Sequence, residues 1–362
     1  MSSEFMNKHR AIDRQSSLFI PFWTEFVNNE PVSWRYEATH LNYYRKSCLP
    51  WLKADLSFIL LHEGKPAAIC PLFFEEKDGL LSFSLEGGYL PVPFVGQHLG
   101  RNIQSKIQAA CYAEVDRRAA ENNVHLVRMR IDAACNVEQY NILQRYGFID
   151  CSTTTAILDL TKTEQKLRAN LRGSYKALIN KGRKIFETQV IDCTSKDYSY
   201  CDQYQELHFK ASGRATRSDE SFAMQKIAIK NDKAVLVVVK KDGIIIACAY
   251  FLHHGHSVFY GSMADDPDYA AAVPAGHMII WEAILYYKKR GMRLLEVGVQ
   301  QFSPQILNVP SRKELNIGMF KRGFGADLLP MFQGVKYYDG LRMRLELQNG
   351  VETLCRAFGD GL

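Results

Sequence analysis

The order of predicted elements repeats once along the chain, and a repeat of this size constrains the architecture more tightly than any single motif. In the first half, helices over residues 18–27 and 40–52 precede SFILLHEGKPAAICPLFFEE, two apolar runs broken at Glu63-Gly64-Lys65-Pro66 as a β-hairpin requires. A strand at 80–85, the loop GGYLPVPFVG, a helix over 103–121, the strand HLVRMRI and a short helix through 137–146 come next. The second half places helices at 200–211 and 220–229, then AVLVVVKKDGIIIACAYFLHHGHSVFYGSM as three strands turning at Asp242-Gly243 and His254-Gly255. A helix over 276–289, the strand RLLEVGV and the helical stretch RKELNIGMFKR close the second copy. Arg145-Tyr146-Gly147-Phe148 and Lys321-Arg322-Gly323-Phe324 end equivalent late helices.

The fold class is therefore α+β, with two tandem units, each a mixed and mostly antiparallel sheet flanked by helices. The expected boundaries are 10–160 for the first unit, 161–190 for a basic connecting helix and 191–345 for the second unit. At 362 residues the chain is long enough for two cores. No apolar run approaches the roughly 18–20 residues of a membrane span, and the polar start MSSEFMNKHRAIDRQSS has no signal-peptide core. Nine cysteines, an odd number without a C-x-x-C, include Cys70 and Cys248 inside apolar runs. That usage points to reduced thiols and a cytoplasmic location. The net charge of +6 permits an anionic partner but is too small for a DNA-binding composition.

From Lys166 to Lys184 the chain carries seven Lys or Arg residues and no acid. Read as one helix at about 100° per residue, Leu167, Leu171, Tyr175, Leu178, Ile185 and Phe186 form an apolar stripe. Arg172, Lys176 and Arg183 fall within a roughly 40° arc beside it, a row suited to phosphates or simply to water. Gly173 and Gly182 would let another backbone or a ligand approach. In ELHFKASGRATRSDESF, His208 lies on a helix, and the loop after it presents Arg214 and Arg217, a pair suited to a carboxylate or phosphate. His253-His254-Gly255-His256 sits at a hairpin turn without a second ligand cluster, so it is read as solvated turn residues and no metal site is expected.

The unit order is similar to the acetyltransferase fold abbreviated GNAT, and the tandem arrangement resembles the FemAB-like group of acyl and aminoacyl transferases. LRGSYKALINKGRK, PAGHMIIWEAILYYKKRGMRLLEVG and FKRGFG followed by a strand carry the resemblance, which covers nearly the whole chain. It implies a degenerate first unit on the substrate side and a catalytic second unit, where a strand splays from its neighbour and binds an acyl donor. In this sequence the donor would meet residues 259–263, including Ser262, and the helix start Pro274-Ala275-Gly276-His277, with small residues 270–272 before it. The coenzyme A pattern Q/R-x-x-G-x-G/A is not kept there. Glu296 at the splay, His208 and Tyr260 are the catalytic candidates. Asp265, Asp266 and Glu282 also lie nearby in sequence, and Lys321 or backbone near 260–262 would stabilise the oxyanion.

The implied reaction moves an acyl group from acyl-CoA to an amine of a nucleotide-linked sugar or peptide precursor of the cell envelope. Aminoacyl-tRNA is the alternative donor, and no permanently bound cofactor is expected. A non-catalytic RNA- or precursor-binding protein of the same fold is the alternative of a different class, and oligomeric state stays open.

Overall fold

The computed structural model describes residues 10–47, 50–135, 140–269, 273–302 and 304–359. In chain order the first half runs β1 (Ala11–Asp13), α1 (Phe19–Asn29), α2 (Ala38–Ser47), β2 (Leu52–Asp55), β3 (Phe58–His62), β4 (Lys65–Cys70), β5 (Phe73–Lys77) and β6 (Leu80–Phe83). It continues with β7 (Leu90–Pro91), β8 (Phe94–Val95), α3 (Arg101–Glu121), β9 (Leu126–Arg130), a 3₁₀ turn (Ile142–Tyr146) and β10 (Ile149–Asp150). Then come β11 (Thr153–Asp159), α4 (Glu164–Asn170), α5 (Gly173–Ile185), β12 (Glu187–Ile191), α6 (Ser199–Ser212), α7 (Asp219–Lys230) and β13 (Ala234–Lys241). The chain ends with β14 (Ile244–His254), β15 (Ser257–Asp265), α8 (Gly276–Lys289), β16 (Leu294–Gln300), α9 (Arg312–Arg322), β17 (Asp327–Met331), β18 (Gln333–Tyr337) and α10 (Gly340–Gly359). Among the described residues, no helix is long and apolar enough to cross a membrane.

Two compact units result: 1–154 with 301–315 and 330–362, and 155–300 with 316–329. Residues 161–190, expected as a connector, lie inside the second unit. The expected break near 160 also differs, because the terminal strands are exchanged. The second unit's sheet has the order β12-β13-β14-β15-β16-β11-β17, so β11 joins it from the first half of the sequence. Conversely, β18 lies between β10 and β9 in the first unit's sheet, pairing antiparallel with both. The rest of the first unit's strands form β9-β6-β5-β2 and a second sheet, β1-β3-β4-β8. The break between β4 and β5 falls at Pro71, which has no N–H to give a ladder.

Two of the predicted hairpins turn as their residues dictate. Glu63-Gly64 adopts φ of 51° and 78° and Asp242-Gly243 52° and 78°, the two positive values of a type I′ turn. In the second unit, α8 is buried on nearly all sides, with Trp281, Ile279 and Tyr287 at 0% exposure. It packs against the Val-rich run of β13 and against β14 in one core.

Three sequence expectations need correction. The helix expected over 40–52 stops at Ser47, and Leu52 opens β2, which pairs with β5. The helix expected over 137–146 is a single 3₁₀ turn, and residues 137–139 lie outside the described residues. The basic helix is two helices broken at Leu171-Arg172, where the Arg172 N–H donates to the Gly323 carbonyl at 2.8 Å instead of to a helical partner.

Candidate active site

The site grows from a fork between two strands of the second unit. β15 pairs in parallel with β16 only at Ser257–Phe259 with Leu294–Glu296. Beyond that point the β16-facing edge of 260–265 has no strand partner among the described residues, while its other edge stays paired to β14. Two glycines shape the opening. Gly261 is the extra residue of a β-bulge opposite Tyr250 and Phe251, and a Cβ there would lie 2.7 Å from the Leu252 side chain. Gly298 on β16 has φ of 101°, a conformation that disfavours any side chain.

Lys321, at the end of α9, fills the space that the absent side chain of Gly298 leaves. A Cβ at Gly298 would sit 2.8 Å from its Nζ. The ammonium lies 5.6 Å from the Tyr260 ring centroid and makes no hydrogen bond or ion pair among the described residues. Burial pushes its pKa below the usual lysine value, with the Glu296 carboxylate opposing the shift. Glu296 is 2% exposed and accepts a hydrogen bond from Thr155 Oγ1 at 2.9 Å. Burial raises the Tyr260 phenol, which stays protonated, and its ring leans on Phe251 at 5.4 Å. Glu296, Tyr260 and Lys321, assigned separately from sequence, therefore meet at the fork. Burial also raises the Asp265 carboxyl at the open end of β15.

A second polar group lies on the other face of β15. Ser262 Oγ is 2.6 Å from the hydroxyl of Tyr204, a buried residue of α6. One turn along α6, His208 stands edge-on to Tyr204 and Phe222 at 5.9 and 5.5 Å, with Nδ1 3.4 Å from Thr216 Oγ1. Burial, aided by the Arg217 charge, lowers the imidazole pKa to about 4, so it is neutral near pH 7. Tyr204 thus touches His208 with its ring and Ser262 with its hydroxyl. Arg217 lies over the Phe222 ring at 5.9 Å, and Arg214 is exposed.

At the start of α8, Ala275 provides no side-chain cap, and the Met278 N–H donates to its carbonyl at 2.9 Å. The expected donor residues there have packing reasons of their own. A Cβ on Gly276 would lie 3.2 Å from the Met263 methyl. His277 is 7% exposed and sits among the rings of Tyr175, Phe320 and Phe324 at 4.3, 5.2 and 6.1 Å. Residues 270–272 lie outside the described residues.

Residues 165–303 match the family described as the acetyltransferase (GNAT) domain. The crystal structure of FemX is similar with a TM-score of 0.62 at 12% identity, over 89% of this chain and 96% of that one. Residues 165–303 are thus a GNAT-type acetyltransferase domain, and the chain has the fold of FemX. The C-terminal domain of a putative lysylphosphatidylglycerol synthetase from Agrobacterium fabrum is similar at a TM-score of 0.57 and 14% identity, over 92% of this chain and 95% of that one. A tandem GNAT protein from the clavulanic acid biosynthesis pathway gives 0.51 and 11%, over 91% and 98%. No curated protein matches the sequence.

Within the GNAT unit, the basic segment and FKRGFG dock on each other. The Tyr175 hydroxyl donates to the Phe320 carbonyl at 3.0 Å, and a Cβ on Gly323 would overlap the Tyr175 ring. The buried stripe is Leu167, Leu171, Tyr175, Ile179, Gly182 and Phe186. Ile185, expected in the stripe, is 43% exposed because the break at Leu171-Arg172 resets the helical phase. Gly182 is where α5 meets the Met278 side chain of α8.

The expected phosphate row divides. Arg172 donates to the Met319 carbonyl at 3.3 Å, and Lys176 to the Ala169 carbonyl at 2.9 Å. Both carbonyls lie in the last turn of a helix, so these two charges are engaged as C-terminal caps. Arg183 is exposed beside Lys184, and its charge opposes the rise that burial imposes on the Glu282 carboxyl.

His253 also differs from expectation. It is not a solvated turn residue but a core histidine, 3% exposed, with Nε2–H donating to the Asp232 carbonyl at 3.0 Å and Nδ1 2.9 Å from the Tyr287 hydroxyl. Among the described residues no His, Cys, Asp and Glu cluster is placed to hold a metal. Sequence reading missed Tyr204, Thr155 and Gly298. Only Gly298 left a signal, as a glycine inside an otherwise apolar strand.

Proposed function

We propose that this acyltransferase moves an acyl group from a coenzyme A thioester to an amine on a sugar or peptide precursor of the cell envelope, in the cytoplasm. The observation that carries the reading is the open fork with the unengaged Lys321 ammonium beside it. An acyl donor laid along the free edge of β15 would pair with backbone as a strand does, with its phosphates toward the start of α8 near Ala275 and Gly276. The acceptor amine attacks the carbonyl carbon, a C–N bond forms, and the negative charge on the carbonyl oxygen is met by Lys321. Glu296, fixed by Thr155, holds that lysine charged against burial. His208, neutral near pH 7, takes the amine proton, and the departing thiolate takes a proton from Tyr260. Arg183, Arg214 and Arg217 would hold acceptor phosphate or carboxylate.

The test is to melt the protein with acetyl-CoA and to monitor thiol release with nucleotide amino sugars. Donor at about 100 times its Kd adds roughly 2.7 kcal/mol of stability. Absence of both the shift and thiol release would sink the thioester reading. Transfer from aminoacyl-tRNA is the second reading, favoured by Lys181, Arg183 and Lys184 exposed together on α5. Similarity to a protein whose name denotes a lysylated lipid also favours it. It predicts a shift with tRNA alone and an affinity that falls steeply with salt.

A further inference from the structure

The first unit holds a pocket of its own, and its lining is unlike a packing defect. Ile20 and Leu41 line its apolar side over the buried rings of Phe19, Trp23 and Phe73, and Arg14, Arg45 and Asp55 its polar corner, around a shallow hollow of about 30 Å³ open to solvent. The corner is built. Asp55 has a side chain only 9% exposed, and its Oδ2 is 3.2 Å from Arg14 Nε and 3.3 Å from Arg45 Nε. Its other oxygen accepts from the Ser57 N–H at 3.1 Å.

One carboxylate thus faces two guanidinium groups, and the corner keeps a net positive charge. The guanidinium ends are also largely unused. Among the described residues, Arg14 hydrogen-bonds only through Nε, and Arg45 engages one terminal nitrogen, with Asn42 at 3.4 Å. Planar donor forks of this kind suit a carboxylate, which can accept two parallel bonds. Phe19 carries the Arg14 guanidinium over its ring at 4.9 Å, so the apolar floor and the charged corner adjoin directly.

We infer that this pocket binds a small organic carboxylate with an apolar body, its charge on Arg14 and Arg45 and its alkyl or aromatic part against Ile20 and Leu41 at the mouth of the hollow. The site is separate from the fork in the second unit and independent of the reaction proposed there. A convergent polar group at one end of an apolar hollow is the usual form of a small-molecule site.

The experiment is a ligand-observed NMR titration of the full chain with hexanoate, 1-hexanol and inorganic phosphate at constant ionic strength. The expected result is saturable binding of hexanoate at least tenfold tighter than of hexanol or phosphate. R45Q, and A38F, which fills the hollow without touching Asp55, should each weaken it at least tenfold. Equal affinity for hexanoate and hexanol would overturn the inference, as would tighter phosphate binding, no binding, or hexanoate binding unchanged in A38F. Should R45Q fail to fold, A38F decides alone.

Discussion

In each unit a hairpin strand runs beside a parallel neighbour for only a few residues, β6 with β9 at Ser82–Phe83 and Leu126–Val127, and β15 with β16 at three positions. Past that short pairing the two copies diverge. In the first unit the chain turns at Glu86-Gly87 and returns as β7, which pairs with β9 at Leu90–Met129 and Pro91–Arg130 and closes the gap. Glu75, 1% exposed, holds that turn. Its carboxylate accepts from the N–H groups of Glu86 and Gly87 at 2.8 and 2.9 Å and from the Ser84 hydroxyl.

The loop before α3 is equally self-contained, since Glu30 accepts the Gln97 N–H at 2.7 Å and pairs with His98. In the second unit no described segment fills the fork, and Lys321 points into it where the first unit has exposed Arg145, stacked on Tyr140 at 5.1 Å. One topology is thus closed by buried carboxylates in one copy and kept open by two glycines in the other.

The sharpest break in this comparison comes from removing the two corresponding cations. K321M should lower kcat/KM by about 10²–10³-fold, the scale for losing one oxyanion partner, with melting little changed. R145M should leave turnover unaltered; equal losses in both variants would erase the distinction between the copies.

Acid probes the second core alone. Burial lowers the His253 pKa to about 4 from the ordinary 6.5. Between those values the unfolded chain binds a proton that the folded one does not, so stability is complete above pH 6.5 and falls toward pH 4. The loss is on the order of 3 kcal/mol. Denaturant melts across that range should show the slope, and H253N should reduce it, leaving the part that His208 contributes over the same window.

On the closed side, E75A leaves two inward N–H groups without their acceptor and should cost about 2 kcal/mol. Hydrogen exchange should speed at Glu86 and Gly87, while donor stoichiometry stays at one per chain. A second donor bound to E75A would show that Glu75 alone separates the copies. The smallest effect is expected from G298A, about 1 kcal/mol of backbone strain, since φ of 101° disfavours alanine. Its kcat should fall several-fold through displacement of Lys321, while G64A, at a hairpin turn of the first unit, should leave kcat unchanged. Loss of stability without loss of kcat would detach Gly298 from the site.

Much of the candidate site was legible as a set of residues but not as a constellation. Glu296, Tyr260 and Lys321 were each visible because strand ends, turn-proximal aromatics and the FKRGFG ending stand out locally. Their convergence was not, since Lys321 reaches the fork only because α9 returns across Gly298. His277 and Arg172 were read as ligand contacts because a helix start and a basic run carry no mark of what packs against them. The structure places one among aromatic rings and turns the other to a carbonyl.

By itself the sequence determined the hairpins, the span of α8 and the twofold order of elements. Turn chemistry at Glu63-Gly64 and Asp242-Gly243 and the periodicity of apolar residues act over a few neighbours, and the φ values result from them. Only the tertiary structure decided the exchange of β11 and β18, the break at Leu171-Arg172, and which copy stays open. Each of these depends on a partner far along the chain: Gly323 for Arg172, β9 and β10 for β18, and Glu75 for the turn that closes the first unit. Pairing over such separations is set by which surfaces meet once the chain has collapsed, and leaves no periodicity in either segment to announce it.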